Sequence, residues 1–234
     1  MASKSGYIPK GRYDSIGAWN AYVTGNESSK TGILEVTDAF GLVPPTIRGA
    51  DLLAELTNSV VVLPDYFHGQ PALISWITED GSPVEETKDQ YIKFVAEKAQ
   101  APENLPNVLK SMEEVKRHWP DINTWGGLGI GWGGKETSGP ETPFKASGQA
   151  FPSRPAREDV ERFTIPHICL ASQTDNKEGI AAYAELLNGK AGEVETYDIY
   201  HGWMGARAMM DDLRTVNEFE RGYNQLANFF IKHL

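Results

Sequence analysis

The stretch TWGGLGIGWGGK at residues 124–135 decides how this chain can be interpreted. Its first half is apolar and strand-like, and its second half is a turn crowded with glycine. Such glycines let the backbone turn sharply from a strand into a helix and lift the central side chain above the sheet, as in a nucleophile elbow. On this interpretation Ile130 precedes the elbow and Gly131 occupies the nucleophile position. The backbone N–H of Trp132 is then an oxyanion donor.

The same glycines also fit a second pattern. Gly129, Gly131 and Gly134 match G-x-G-x-x-G, the fingerprint of dinucleotide-binding turns. That fingerprint needs a following helix and an acidic residue about 20 positions on, which binds the ribose. Here a Gly-Pro pair interrupts the following segment, and position 150 is alanine. The sequence therefore favours the elbow over a dinucleotide site, and we expect no cofactor.

The elbow predicts a chain order of nucleophile, acid and histidine. Asp175 follows Gly131 by 44 residues at the end of one strand-like run, and His201 follows Asp175 by a further 26 at the end of the next. In proteins built around a parallel sheet, ligands bind at the carboxyl ends of the strands, and both side chains are expected at that edge. We therefore predict that Asp175 and His201 are catalytic, and that Ala39, in the loop after an early strand, supplies the second oxyanion N–H.

Strand-like and helical runs alternate along the chain. The first thirty residues predict short edge hairpins. The composition of buried strands occurs at 33–40, 60–67, 166–173 and 194–200. The spacing of amphipathic helices occurs at 86–100, 103–118, 177–188 and the C-terminus. This alternation predicts an α/β fold with a mainly parallel central sheet, helices on both faces, and one domain spanning residues 1–234. The stretch 136–156, rich in Pro, Gly and Ser, is predicted to be an irregular surface excursion near the carboxyl edge of the sheet, where α/β proteins bind ligands.

Composition and charge indicate which classes of binding partner to expect. The 234 residues carry 22 Lys and Arg against 32 Asp and Glu, a formal net charge of −10, with no basic run. Nucleic-acid binding needs a clustered positive surface, so nucleic acid is not an expected partner. The one cysteine, Cys169, excludes an internal disulfide and lies in an apolar run as a small core residue.

Membrane and metal signals are likewise missing from the sequence. The chain has no apolar stretch of 18 residues, no visible secretion signal, and no His, Asp or Glu set with metal-ligand spacing. We therefore expect a cytoplasmic protein, monomeric or homodimeric, that binds a small molecule without metal and without a membrane.

Five motifs together resemble the dienelactone hydrolase family, in particular its fungal members. They are TDAFGL at 37–42, LPDYFHG at 63–69, GIGWGGK at 129–135, ASQTD at 171–175 and YHGW at 200–203. The resemblance implies an α/β-hydrolase fold and a Cys-His-Asp triad acting on small lactones or esters. It also implies that His201 is the triad histidine, Asp175 its orienting acid and Asp38 a carboxylate near the thiol. Arg207 follows at a slightly longer spacing than that of the family's substrate-anchoring arginine.

The main departure from the family is at the nucleophile. Gly131 stands where the family has its cysteine, so no acyl-enzyme can form there, and Cys169 lies mid-strand rather than at a turn. A histidine held by an aspartate is still a general base, and backbone N–H groups still stabilise an oxyanion or enolate. We therefore predict non-covalent acid–base chemistry (cyclisation, rearrangement, dehydration or water attack) on a small lactone or ester. The resemblance to the fungal members of the family implies a polyketide-like substrate and a place in fungal secondary metabolism.

The volume that glycine leaves free predicts a pocket for a larger substrate. The residues expected to line it are Asp38, Phe40, Tyr66, Phe67, His68, Trp132, Trp203 and Arg207. Two other interpretations remain open. The acid and the histidine could be inherited scaffolding in a non-catalytic binding protein, or the glycine could have been engineered in place of cysteine to trap a ligand.

Overall fold

The computed structural model describes residues 6–78, 81–99, 101–135, 137–138, 142–188 and 191–234. Its strands are β1 (Arg12–Ile16), β2 (Trp19–Gly25), β3 (Thr31–Val36), β4 (Val60–Pro64), β5 (Thr124–Ile130), β6 (Ala146–Ala150), β7 (His167–Ser172) and β8 (Gly192–Tyr197). They form one sheet in the order β1-β2-β4-β3-β5-β6-β7-β8. The β1–β2 and β2–β4 pairs are antiparallel, and the other five pairs are parallel. The predicted mainly parallel sheet and the predicted N-terminal edge hairpin are both confirmed.

Helices cover both faces of this sheet, as predicted. They are α1 (Pro44–Thr57), α2 (Lys88–Lys98), α3 (Ala101–His118), α4 (Arg157–Glu161), α5 (Lys177–Leu187) and α6 (Leu213–His233). On one face, Ile33 and Leu128 join a buried cluster with α1 and α6. On the other face, Leu34 packs in the cluster that includes α3, and Cys169 packs with α5. The architecture is that of an α/β hydrolase.

The stretch 136–156 differs from its prediction. Residues 136 and 139–141 lie outside the described residues, but Ala146–Ala150 is strand β6, fully buried between β5 and β7. Its sequence, ASGQA, has low strand propensity because it consists mostly of small residues. Small residues fit in β6 because side chains of neighbouring elements fill the space on its faces. A Cβ on Gly148 would lie 3.1 Å from Ile168 and 3.2 Å from Leu226. Tertiary packing therefore decides this strand.

No helix in the described part of the chain is both long enough and apolar enough to span a bilayer.

Candidate active site

The predicted elbow lies at the carboxyl end of β5. The strand ends at Ile130, and a 3-10 turn runs over Gly131–Lys135. The turn crosses so close to the strand that a Cβ on Gly129 would lie 2.1 Å from the carbonyl oxygen of Gly133. Only glycine fits at position 129, which explains the small residue two places before the apex.

Gly131 has the left-handed backbone of an elbow apex, with φ of 62°. A Cβ at this position would lie 3.3 Å from the Cβ of Asp38 and 3.5 Å from the ring of Phe151. Both distances are close to ordinary contact, so the backbone would accept a small side chain after a shift of a few tenths of an ångström. Gly131 therefore leaves room for a small side chain between Asp38 and Phe151.

His201 and Asp175 come together at the same edge of the sheet. Asp175 follows β7, and its Oδ1 lies 2.6 Å from Nδ1 of His201. The other carboxylate oxygen accepts a hydrogen bond from the N–H of Ser172 at 2.7 Å, and the Asp175 side chain is only 1% exposed. The His201 side chain is 36% exposed. The backbone N–H of His201 donates to Oγ1 of Thr174 at 3.0 Å. The imidazole is thus oriented by a buried carboxylate while its far side can reach a ligand.

Phe151 supports the imidazole from the side. Its ring packs edge-to-face on His201, with ring centroids 5.0 Å apart. Phe151 also borders the space above Gly131, so its ring lies next to both the histidine and that space. The residue itself has a left-handed backbone with φ of 38°, which is uncommon for an aromatic side chain and is a strain found mostly at functional sites.

Asp38 is a buried carboxyl group at the carboxyl end of β3. Oδ1 accepts from the N–H of Phe40 at 3.0 Å, and Oδ2 accepts from the N–H of Ala206 at 2.9 Å. Burial raises the pKa of Asp38 to about 6, against the opposing effects of these two N–H groups and of the charges of His201 and Arg207. Asp38 therefore titrates close to neutral pH.

A second buried acid lies on β3 beneath this group. Glu35 is fully buried, and neither of its carboxyl oxygens has a hydrogen-bond partner among the described residues. Burial, with a smaller contribution from the charge of Asp38, raises the pKa of Glu35 well above its usual value. Burial therefore favours the neutral form of Glu35.

The two predicted oxyanion donors lie beside Gly131. Trp132 is the second residue of the 3-10 turn, and the first N–H groups of a helical turn have no partner within it. In the described part of the chain, the N–H of Ala39 donates to no group, while the Ala39 carbonyl accepts from Ala72 at 2.9 Å. Both residues border the cavity described next.

A cavity of about 1040 Å³ lies over the elbow. It brings together predicted residues from the segments that follow β3, β5, β7 and β8, namely Asp38, Ala39, Phe40, Gly131, Trp132, Asp175, His201 and Arg207. Arg207 donates from a guanidinium N–H to the carbonyl of His201 at 2.7 Å, and it lies 5.7 Å from the Tyr200 ring centroid.

Four predicted pocket residues are not part of the described lining, which corrects the expected pocket wall. Tyr66 is buried and hydrogen-bonds Ser111 through its hydroxyl at 2.7 Å. Phe67 lies behind Trp132, with ring centroids 5.8 Å apart. His68 is exposed at the tip of the turn after β4, and Trp203 is fully buried. The turn after β4 points its aromatic rings into the core rather than into the cavity. The hydropathy of a residue does not distinguish a core position from a position in the wall of an apolar cavity.

Sequence reasoning missed other parts of the wall. Tyr91 and Ile92 come from α2, and Phe151, Ser153 and Arg154 come from the loop after β6. No short-range motif marks them, because each belongs to a segment that folds over the sheet edge from a distance. The one available signal was the predicted position of 136–156 near that edge.

Other candidate chemistry groups lie away from the cavity. Cys169 is fully buried on β7, and burial raises the pKa of its thiol far above the usual range. His167 is fully buried, its Nδ1 lies 2.7 Å from Oγ of Ser147, and burial lowers its pKa to about 3. The described residues contain no cluster of three or more His, Cys, Asp or Glu side chains arranged to hold a metal ion.

Comparison with solved structures shows the fold. The chain superimposes on a dienelactone hydrolase from Anabaena variabilis with a TM-score of 0.64 at 11% identity, covering 96% of this chain and 97% of that one. It also superimposes on P91, a dienelactone hydrolase-like promiscuous phosphotriesterase from metagenomic libraries, with a TM-score of 0.63 at 14% identity, covering 94% and 96%.

Comparison of sequences shows the family. No family model matches the chain. An uncharacterized AIM2 family protein of Schizosaccharomyces pombe is 31% identical over 244 aligned residues, which cover 97% of this chain and 96% of the relative. The chain therefore belongs to the AIM2 family, on an α/β-hydrolase fold.

Proposed function

We propose that this protein is a non-covalent acid–base enzyme that uses His201 as its base. The observation that carries the proposal is the 2.6 Å contact between Nδ1 of His201 and Oδ1 of Asp175, at a cavity whose nucleophile position is the glycine Gly131. The base and the orienting acid of a hydrolytic triad are present, and the covalent partner is not.

The chemistry follows from the tautomer of the imidazole. Asp175 accepts a hydrogen bond from Nδ1–H of His201, so the proton stays on Nδ1 and Nε2 is the basic nitrogen. Nε2 takes a proton from a carbon next to a substrate carbonyl. The C–H electron pair forms a new C=C bond, and the π pair of the carbonyl moves onto its oxygen, which gives an enolate. The imidazolium then returns the proton to the same carbon or to another atom, which gives exchange, rearrangement, cyclisation or dehydration. General-base catalysis of this kind contributes roughly 10²–10⁴-fold in rate.

The same groups support direct attack by water. Nε2 of His201 deprotonates a water molecule, hydroxide adds to a lactone or ester carbonyl, and the imidazolium protonates the departing alkoxide. In both routes negative charge develops on one oxygen. The N–H groups of Trp132 and Ala39 are the proposed donors to that oxygen, and fixed donors need no reorganisation as the charge forms.

Asp38 tunes this site. Its carboxyl group lies next to the space above Gly131, and its pKa of about 6 means that it loses its charge in mildly acidic solution. An ionised Asp38 opposes the formation of an oxyanion nearby, whereas the protonated form does not. We therefore propose that Asp38 makes the enolate step more favourable below about pH 6.

The substrate we propose is a small lactone, ester or polyketide-like carbonyl compound. The cavity of about 1040 Å³ exceeds what a short ester fills, and aromatic side chains including Phe40, Trp132 and Phe151 border it. The setting we propose is fungal secondary metabolism, since the motifs resemble fungal sequences and the AIM2 relative is a fungal protein.

Proton exchange tests the proposal without knowledge of the natural substrate. In deuterated buffer, wild-type protein should speed deuterium incorporation next to the carbonyl of 2-tetralone, followed by NMR. His201→Gln should lower the enzyme-dependent rate by roughly 10²-fold or more. His68→Gln is the matched control, because His68 is an exposed histidine outside the described cavity lining, and it should leave the rate unchanged.

Two results would contradict the proposal. One is a wild-type rate no greater than that of His201→Gln. The other is an equal loss of rate in His68→Gln, which would indicate a non-specific effect of removing a histidine.

A further inference from the structure

Helix α2 is amphipathic, and its apolar side faces the cavity. Five of its eleven residues are charged, and none of these five belongs to the described lining of the cavity. The residues of this segment that do border the cavity form one stripe at helical spacing, which continues into the C-cap. We call them the α2 stripe: Tyr91, Ile92, Val95, Ala96 and Ala99.

A neighbouring side of the helix attaches α2 to the core. Phe94 packs on Phe67, with ring centroids 5.2 Å apart, and on Trp76, with centroids 6.3 Å apart. Within the α2 stripe, Tyr91 and Val95 are partly buried against the same core, whereas Ile92 remains 52% exposed. A large apolar side chain that is half-exposed on a cavity wall is stabilised when an apolar ligand covers it.

The α2 stripe belongs to the same cavity as the proposed active site. The charges of Asp38 and Arg207 act on the phenol of Tyr91, so this end of the stripe lies within electrostatic range of the site. From Tyr91 the stripe extends to Ala99, about 12 Å along a helix axis. The charged residues of the described lining all come from other segments, namely Asp38, Arg154, Asp159, Asp175 and Arg207. The wall formed by α2 is therefore uncharged in a cavity that is otherwise rich in charge.

We propose that the α2 stripe binds an extended aliphatic tail of the substrate while the reacting carbonyl group lies at His201. Each methylene group that leaves water for this wall adds to the affinity, so the length of the tail determines specificity. A wall of about 12 Å matches an extended chain of roughly nine carbons. The inference names the substrate class of the proposed active site and in that respect rests on the proposed function.

Binding of neutral methyl ketones tests the inference without any turnover. The probes are 2-butanone, 2-hexanone and 2-octanone, which differ only in chain length, and ligand-observed NMR titration measures their dissociation constants. Wild-type affinity should rise about 2-fold or more with each added methylene group, so that 2-octanone binds at least about 10-fold more tightly than 2-butanone.

Two variants on one helix form a matched pair. Ile92→Asp and Gln90→Asp each add one carboxylate to α2 at an exposed position, but only position 92 borders the cavity. Ile92→Asp should remove most of the dependence on chain length, because a charged group must then lose water to the tail. Gln90→Asp should leave that dependence unchanged. Ala96→Phe, also at an exposed position, should weaken 2-octanone and leave 2-butanone unaffected, because the ring fills part of the stripe.

Three results would overturn the inference. They are a wild-type affinity that does not change with chain length, a dependence on chain length that persists in Ile92→Asp, and an equal loss in Gln90→Asp. His201→Gln should retain the dependence on chain length, since ketone binding needs no proton transfer. Loss of deuterium exchange with intact tail binding is therefore distinguishable from loss of tail binding itself.

Discussion

Asp38 and Gly131 are in near-contact across the floor of the cavity: a Cβ on Gly131 would lie only 3.3 Å from the Cβ of Asp38. A buried carboxyl group therefore lies beside bare backbone at the apex of the turn after β5. This relationship links the stability of the elbow to the chemistry of the site, because one substitution at Gly131 changes both.

Replacing Gly131 with alanine should cost about 1–2 kcal/mol of unfolding free energy, since an L side chain at φ of 62° is strained. The matched control is Gly69→Ala, where φ is 76° and the added Cβ meets nothing within 4 Å. Denaturant unfolding should show a similar loss for both variants, slightly larger at Gly131 because Asp38 must shift. A loss of several kcal/mol at Gly131 alone would indicate that the space is closed.

Gly131→Cys should create a nucleophile in a site already shaped for one. With p-nitrophenyl acetate, we expect mass spectrometry to detect one acetyl group on the introduced thiol, because His201 and the N–H groups of Trp132 and Ala39 surround it. Wild-type protein is an internal control: burial raises the pKa of the Cys169 thiol, which keeps it unreactive. If the variant acquires no acetyl group, the base and the oxyanion donors are not arranged as we propose.

Asp175→Asn should lower the exchange rate of 2-tetralone by about 100-fold or more while leaving the fold intact. The amide oxygen can keep the hydrogen bond from the Ser172 N–H, but the amide NH₂ then faces Nδ1 of His201 and forces the proton onto Nε2. Nitrogen-15 NMR of the imidazole should report this change of tautomer. An unchanged tautomer with unchanged exchange would contradict the role of Asp175.

Asp38→Asn should change how stability depends on pH. Because the pKa of Asp38 is about 6 in the folded protein and about 3.8 when unfolded, the folded state binds more protons between these values. Wild-type stability therefore falls as pH rises from about 4 to 6, by up to about 3 kcal/mol from this group, and the variant should lack that contribution. Denaturant unfolding of both proteins at pH 4, 5, 6 and 7 measures the difference. Parallel pH curves would show that Asp38 is not the titrating acid.

His167→Asn should have the opposite pH signature. The pKa of His167 is about 3 in the folded protein and about 6.5 when unfolded, so the unfolded state binds the extra proton. Wild-type stability should fall below pH 6.5 by up to roughly 1.4 kcal/mol per pH unit from this residue. The amide of asparagine can still hydrogen-bond Ser147 without titrating. Acid unfolding of the variant relative to wild type should therefore be less steep, and identical slopes would assign the acid sensitivity to other groups.

Much of the site was predictable from local sequence. The crowded glycines after β5 and the order of Gly131, Asp175 and His201 along the chain predicted which residues meet, because parallel strands bring their carboxyl ends to one edge. Strand β6 was not predictable in this way. Its five residues, mostly small, carry no apolar pattern, and they fit as a central strand because Ile168 and Leu226 occupy the space around Gly148.

The sequence by itself determined the glycine-rich turn after β5 and the meeting of Asp175 with His201 at the same edge of the sheet, since both predictions depend on residue type and order along the chain. Only the tertiary structure decided what surrounds them. It turned Tyr66 and Phe67 into the core, exposed His68, and brought Tyr91 and Arg154 to the cavity from segments 63 residues apart in the chain. The physical reason is that the hydrophobic effect determines whether a side chain is buried, whereas the path of the connecting loops determines which residues it packs against.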